Sequence, residues 1–176
     1  MSGKRRRDYQ AVLRALKGEL ERLHGEGASF DFEAVLADFE AAVCGAFRHV
    51  FPAVEMCGCN FHWGQAVFRM IQELGMQPGF QNDPGLNQYC KQILALPYLP
   101  WELIDPTLTE LESEATIKGQ HHLCAYVRQT WMESSVWDPA SWSSFYRAIL
   151  TKNDVEGRHR RLNSKAGRGQ LNMYLL

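Results

Sequence analysis

Two acidic residues far apart in the chain, Asp38 and Glu156, are the first candidates for chemistry. Asp38 closes a short apolar run, residues 32–36, of the kind that forms a buried strand. Sheets in α/β proteins bind their ligands at the carboxyl ends of strands, and a carboxylate placed there can hold a hard divalent cation such as Mg²⁺. The alternative is that Asp38 caps a helix that begins near Glu40.

Glu156 lies in a polar segment near the end of the chain. In a helix it shares one face with His159, Arg160 and Asn163, at spacings of three, four and seven residues. Such a polar face points to solvent or lines a site. The alternative is a capping box that pairs Glu156 with Asn153.

Asp38 and Glu156 together allow a more specific hypothesis than either alone. Two carboxylates on separate elements could share metal ions about 3.5–4 Å apart and clamp the attacking and leaving oxygens of a phosphodiester. Such a site also needs a further carboxylate on the central strand of the sheet. The pair therefore predicts a metal-dependent site for phosphodiester chemistry if the two side chains converge.

Cys59 and His62 form a Cys-x-x-His pair, which can supply two zinc ligands, whereas a structural zinc site normally has four. Other thiols and imidazoles could complete the set: Cys57, His121, His122 and Cys124. Nothing in their spacing requires a metal. We therefore expect a packed cysteine and a hydrogen-bonded histidine here, and not zinc.

The composition indicates one globular domain. Its net charge is too small to attract the whole chain to nucleic acid or to a membrane surface. The 176 residues are 45% hydrophobic and carry a formal net charge of -1. The five cysteines are an odd number without a disulfide-framework spacing, and no apolar h-region or membrane-length run follows the basic start of the chain. We expect reduced thiols, a nuclear or intracellular location and no membrane partner.

Basic residues gather at both ends of the chain. Lys4, Arg5, Arg6 and Arg7 form the first cluster, which is either a targeting or phosphate-binding arm or a solvated terminus. The second cluster supplies candidates for DNA contact: Arg158, Arg160, Arg161, Lys165 and Arg168.

The first half of the chain predicts alternating helices and strands. An apolar stripe marks the first helix: Tyr9, Val12, Leu13, Leu16, Leu20 and Leu23. A strand at residues 32–36, a helix over 40–51, a second strand at 53–61 and a helix from about His62 to Gly75 follow. This order predicts a βαβ unit with two parallel strands and a right-handed crossover.

From residue 83 onward the pattern is helical only. Asp83 and Pro84 start a helix as N-cap and N1 residues. The next helix, over 101–114, should be interrupted near Pro106. Two more helices run through residues 123–131 and 142–149, and four tryptophans should pack in the core: Trp101, Trp131, Trp137 and Trp142.

Four blocks of the chain resemble, in order and spacing, the transposase domain of Mutator-like elements (MULE). They are the Tyr9 helix, VLADFEA at 35–41, GCNFHWGQA at 58–66 with IQELG at 71–75, and NDVEGRHRRLN at 153–163. Residues 94–100 and Thr130-Trp131 also fit the family's helical insertion. Arg158 departs from the motif, where the family usually has tryptophan.

The resemblance implies a DDE-type domain with a ribonuclease H-like fold. Asp38 then corresponds to the second catalytic aspartate and Glu156 to the catalytic glutamate, both as ligands of Mg²⁺ or Mn²⁺. Cys59 and His62 correspond to a signature near the active site, and His159 follows in the last block. The implied reaction is cleavage of a DNA strand at an element end, followed by attack of the freed 3′ hydroxyl on target DNA.

The expected fold class is therefore α/β and mostly helical, an incomplete ribonuclease H-like fold with a short two-stranded parallel sheet. The single domain divides into a βαβ core at 8–80, a helical insertion at 83–150 and a catalytic helix region at 151–176. The family's first aspartate and first strands precede the Tyr9 helix and have no counterpart here, so we expect an inactive, truncated domain. An exposed sheet edge then favours self-association. The alternative is a domesticated, non-catalytic module that binds DNA or protein.

Overall fold

A computed structural model describes residues 5–25 and 34–147 of the chain. The first elements are α1 (Arg6–His24), β1 (Ala34–Ala37), α2 (Ala41–Val50), β2 (Glu55–Gly58) and α3 (Asn60–Glu73). They are followed by α4 (Gln77–Asn82), α5 (Pro84–Ala95), α6 (Trp101–Glu114), α7 (Lys118–Val127) and α8 (Pro139–Trp142). A 3₁₀ turn at Leu96–Tyr98 and a π turn at Arg128–Met132 complete this part of the chain.

The two strands form a parallel pair joined by α2, as the alternating pattern predicted. Ala34 lies opposite Glu55 and Ala37 lies opposite Gly58. The apolar strand residues Ala37 and Met56 are buried. Both strands are therefore short and end level with each other, which confirms an α/β fold of mostly helical content with a two-stranded parallel sheet.

Helix α1 packs mainly against α2 and buries only part of its predicted apolar stripe. Leu13 joins a small cluster with Ala46, Val50 and Phe51. The rest of the stripe is less well covered, and Val12, Leu16 and Leu23 are exposed. The predicted amphipathic helix is therefore confirmed, and Leu13 is the buried residue of its apolar stripe. Arg6 and Arg7 belong to this helix.

The turn between α3 and α4 forms at Gly75, as predicted. Gly75 has a φ of 68°, a left-handed conformation that favours glycine. Its N–H donates to the Gln72 carbonyl, and the Met76 N–H donates to the Ile71 carbonyl. These two bonds form a Schellman motif, which satisfies the last carbonyls of α3.

The helical region also confirms the start of α5 but not the break in α6. The Asp83 carboxylate accepts hydrogen bonds from the N–H groups of Gly85 and Leu86, at 2.8 and 3.2 Å. Helix α6 continues through Pro106. Buried side chains before and after the proline, Ile104 and Leu108, keep the two halves in one helix.

The predicted helix over 142–149 is wrong, because α8 ends at Trp142. Tyr146 has a φ of 58°, which ends any regular helix there, and its side chain is exposed. Trp101 is also exposed, whereas the core prediction is confirmed for the other three tryptophans, Trp131, Trp137 and Trp142.

Several predicted features lie outside the described residues. These include the catalytic helix region at 151–176 with Glu156, His159 and the basic cluster Arg158, Arg160, Arg161, Lys165 and Arg168. Among residues 5–25 and 34–147, no helix has both the length and the apolar character needed to cross a bilayer.

Candidate functional site

The ends of the two strands bring Asp38 and Cys59 together. Because Ala37 pairs with Gly58, the residues that follow them leave the sheet side by side. The Cys59 N–H donates a 3.0 Å hydrogen bond to the Ala37 carbonyl, so the pairing extends one residue past β2. The Asp38 side chain is 44% exposed, whereas Cys59 is fully buried. The site therefore has an open acidic side and a closed thiol side.

His62 joins this pair from the first turn of α3. Its Nδ1 lies 3.4 Å from Oδ1 of Asp38. The ligand atoms offered by Asp38, Cys59 and His62 all lie within 4.8 Å of one another. Within the described ranges, no other group of three His, Cys, Asp or Glu residues could hold a metal ion.

The Nδ1 atom of His62 is buried and has no hydrogen-bond partner. It lies at ion-pair distance from the Asp38 carboxylate, and the two groups form no hydrogen bond through this nitrogen. The expectation of a hydrogen-bonded histidine is therefore not met at this nitrogen. A buried polar atom without a partner is uncommon in folded proteins and calls for an explanation, such as an ion or water bound beside it.

The capping alternative for Asp38 is wrong. Helix α2 begins at Ala41 with Glu40 as its N-cap residue, and no side chain caps it. Glu40 instead accepts a 3.0 Å hydrogen bond from the Tyr9 hydroxyl of α1. Asp38 is therefore not part of the start of α2, and its carboxylate lies beside His62.

Phe39 fixes the turn that follows Asp38. Its φ of 58° is rare for a residue with a bulky side chain. Its ring packs edge-on against Trp131 and Trp137, with centroids 4.6 and 4.8 Å apart. This burial offsets the backbone strain and directs the chain away from the strand immediately after Asp38.

Gly58 provides the space that the Phe39 ring occupies. A Cβ atom at Gly58 would lie far inside van der Waals contact with two ring carbons of Phe39, and 3.1 Å from the Cβ of Trp142. A side chain at this position would therefore displace the residue next to Asp38. Glycine inside a strand is a known sign of such close approach, whereas nothing in the sequence marks Phe39.

The start of α3 is held by a buried polar contact. The Asn60 side chain donates a 2.8 Å hydrogen bond to the Ser144 hydroxyl, which donates to the Pro97 carbonyl at 2.9 Å. One turn further on, Trp63 stacks on Trp142 with ring centroids 4.7 Å apart. These contacts fix the helix end that carries Cys59 and His62.

The suggested zinc completers take other partners or lie elsewhere. The Cys57 sulfur accepts a hydrogen bond from Arg147, whose guanidinium also donates to Glu55. Burial raises the pKa of the Cys57 thiol, although the Arg147 charge acts against this. Cys124 pairs with the Tyr89 hydroxyl at 3.0 Å. Neither thiol, and neither His121 nor His122, belongs to the group around Asp38; the two histidines are both exposed.

The described donors do not fit Mg²⁺ or Mn²⁺. These ions prefer several oxygen ligands, whereas the group here offers one carboxylate, one imidazole and one thiol. Glu156, the other carboxylate that the resemblance assigns, lies outside the described residues.

Comparisons of this chain with protein-family models, with curated protein sequences and with solved structures gave no match.

Replacement of Gly58 by alanine should destabilise the fold by about 1–3 kcal/mol, because the added methyl group overpacks against Phe39 and Trp142. Gly64, inside α3, is the matched control because a Cβ there meets nothing within 4 Å. Gly64→Ala should raise stability by up to about 1 kcal/mol, since alanine favours helix. Urea unfolding of both variants measures the difference. Equal effects of the two changes would show that Phe39 does not depend on Gly58.

Proposed function

We propose that this chain is a segment of a DDE-type transposase catalytic domain of the MULE kind, with a ribonuclease H-like arrangement. The observation that carries the proposal is the meeting of Asp38 with the Cys59-x-x-His62 pair at one end of two adjacent parallel strands. The resemblance assigns these residues to the surroundings of one active site, although they lie in separate blocks of the sequence.

The order of elements also supports this proposal. A carboxylate after the first strand, a crossover helix and a neighbouring parallel strand form the part of a ribonuclease H-like sheet that the resemblance assigns to this segment. A run of helices, α4 to α8, then separates the strand pair from the block with Glu156. We propose that these helices are the family's insertion and that Glu156 returns to the sheet edge beside Asp38.

The implied chemistry is hydrolysis of a DNA strand and transfer of its 3′ end. Mg²⁺ or Mn²⁺, when bound, would stabilise charge on the phosphate. By the resemblance, the Asp38 carboxylate would be one ligand of that ion, and its side chain is 44% exposed. The 176-residue polypeptide offers two of the three carboxylates that the family uses, so we propose that it is inactive alone.

A non-catalytic function as a DNA- or protein-binding module is the second candidate. The group around Asp38 favours this second function. Among the described residues it contains one carboxylate, whereas a nuclease metal site uses a cluster of them. In this form the fold and the basic residues near the end of the chain would serve binding without strand cleavage.

The purified chain should not nick supercoiled DNA above the buffer background in Mg²⁺ or Mn²⁺, because the loss of one carboxylate removes most of the affinity for catalytic metal ions. Gel electrophoresis of plasmid DNA measures nicking. Asp38→Asn and Glu156→Gln serve as matched variants, and neither should differ from the parent chain. Turnover by the parent that Glu156→Gln abolishes would contradict the proposed inactivity.

The chain should bind duplex DNA with an affinity that falls as salt rises. Alanine at the three arginines of the last block should weaken binding and lower the slope of log affinity against log salt by up to about 3, since each lost phosphate contact removes roughly 0.9. The positions are Arg158, Arg160 and Arg161. Fluorescence anisotropy with a labelled duplex measures both quantities.

Three basic residues of α1 provide the control for this measurement: the exposed Arg14 and Arg22 and the partly buried Lys17. Their replacement by alanine should change the slope much less.

The binding-module alternative further requires that DNA affinity is unaffected by Asp38→Asn and Glu156→Gln in the presence of Mg²⁺. If the chain shows no salt-dependent affinity for DNA, the result contradicts both the transposase proposal and the DNA-binding form of the non-catalytic module.

A further inference from the structure

We propose that Asp38, Cys59 and His62 form a binding site for a thiophilic divalent cation, with Zn²⁺ as the best match. This site goes beyond the proposed nuclease function, which uses Asp38 with Glu156. It depends on two side chains, the Cys59 thiol and the His62 imidazole, for which the implied DNA chemistry has no assigned use.

The spacing of the donors fits tetrahedral coordination. Zinc bonds to nitrogen and oxygen are about 2.0–2.2 Å long, which places two such ligand atoms roughly 3.3–3.6 Å apart in a tetrahedron. The observed separation of His62 Nδ1 and Asp38 Oδ1 is 3.4 Å. The sulfur of Cys59 completes a group whose members lie within 4.8 Å. Since a zinc-bound sulfur would lie about 3.6 Å from the other ligands, a movement of roughly 1 Å closes the site.

The chemistry of the donors selects the class of cation. Thiolate and imidazole ligands favour Zn²⁺ and related ions, whereas Mg²⁺ and Ca²⁺ take oxygen ligands. Three protein ligands leave a fourth position for water or a substrate oxygen, as catalytic zinc sites do. The exposed side of Asp38 provides access for such a fourth ligand.

The unpartnered nitrogen of His62 is an independent indication of a ligand. Its Nδ1 is buried within the group and lacks a hydrogen-bond partner. A cation between this nitrogen and Asp38 would satisfy it, because neutral imidazole offers one nitrogen lone pair for a metal. The same ion would neutralise the adjacent carboxylate.

The surrounding structure holds the ligands near their bound positions. Cys59 is fixed by its backbone hydrogen bond to Ala37, and α3 is fixed at Asn60 by its contact with Ser144. The three ligand atoms already lie within 4.8 Å of one another. Sites whose ligands are held in this way bind metal more tightly than sites on mobile loops.

Cobalt absorption tests the site directly. Co²⁺ added to the reduced full-length chain should bind at one ion per chain and give the visible bands of tetrahedral cobalt with a near-ultraviolet thiolate charge-transfer band. Zn²⁺ should displace it. Cys59→Ser should remove the charge-transfer band and lower affinity at least tenfold, the scale on which metal sites lose affinity when even an outer partner is removed. Cys90→Ser, at another fully buried cysteine, should keep both.

His62→Gln provides a second variant at a partly exposed position, where folding is less at risk. It should also lower Co²⁺ affinity at least tenfold, whereas His121→Gln should not. Circular dichroism establishes that each variant is folded. A missing charge-transfer band in the parent chain, or one that persists in Cys59→Ser, would overturn the proposal. Either result leaves the transposase proposal standing, because the DNA assays depend on Asp38, Glu156 and the basic cluster.

Discussion

The parallel pairing of β1 with β2 is the constraint on which the candidate site depends. Hydrogen bonds along the pair place Ala37 opposite Gly58 and continue to the Cys59 N–H. This register is what sets Asp38 beside Cys59. A slip by one residue would turn every side chain of a strand to the opposite face, and the acid and the thiol would separate. Four paired residues in each strand thus decide whether the site exists.

The helical region holds this strand pair in place and is therefore part of the site's structure. Phe39, directly after Asp38, packs against Trp131 and Trp137 from the segment after α7. Trp63 of α3 stacks on Trp142 of α8. A two-stranded sheet is marginally stable on its own, so these aromatic contacts supply the burial that the short strands lack. A sequence that kept the strands and lost these tryptophans would lose the turn that orients Asp38.

Local signals in the sequence predicted much of the fold, and contacts distant in sequence account for what was missed. Asp83 and Gly75 were predictable because capping and left-handed turns depend on single residue types. The break predicted at Pro106 does not occur, because burial of Ile104 and Leu108 outweighs the tendency of proline to interrupt a helix. The conformation of Phe39 and the approach of His62 to Asp38 arise from tertiary packing, which no local pattern encodes. The pair Cys59 and His62 was noted for its spacing without an expected metal, and Asp38 was predicted separately as a ligand of Mg²⁺ or Mn²⁺.

Whether Glu156 reaches Asp38 tests the central claim, that this strand end belongs to a transposase-type active site. Cysteines introduced at both positions, Asp38→Cys with Glu156→Cys, should be joined by a thiol cross-linker with a reach of roughly 8 Å, the span of two metal ions and their ligand bonds. The native cysteines among the described residues are buried, which limits competing reaction. Intramolecular cross-linking that is efficient for this pair and absent for Asp38→Cys with Glu133→Cys is the predicted result. Equal yields for the two pairs, or no cross-link in the folded chain, would contradict the account.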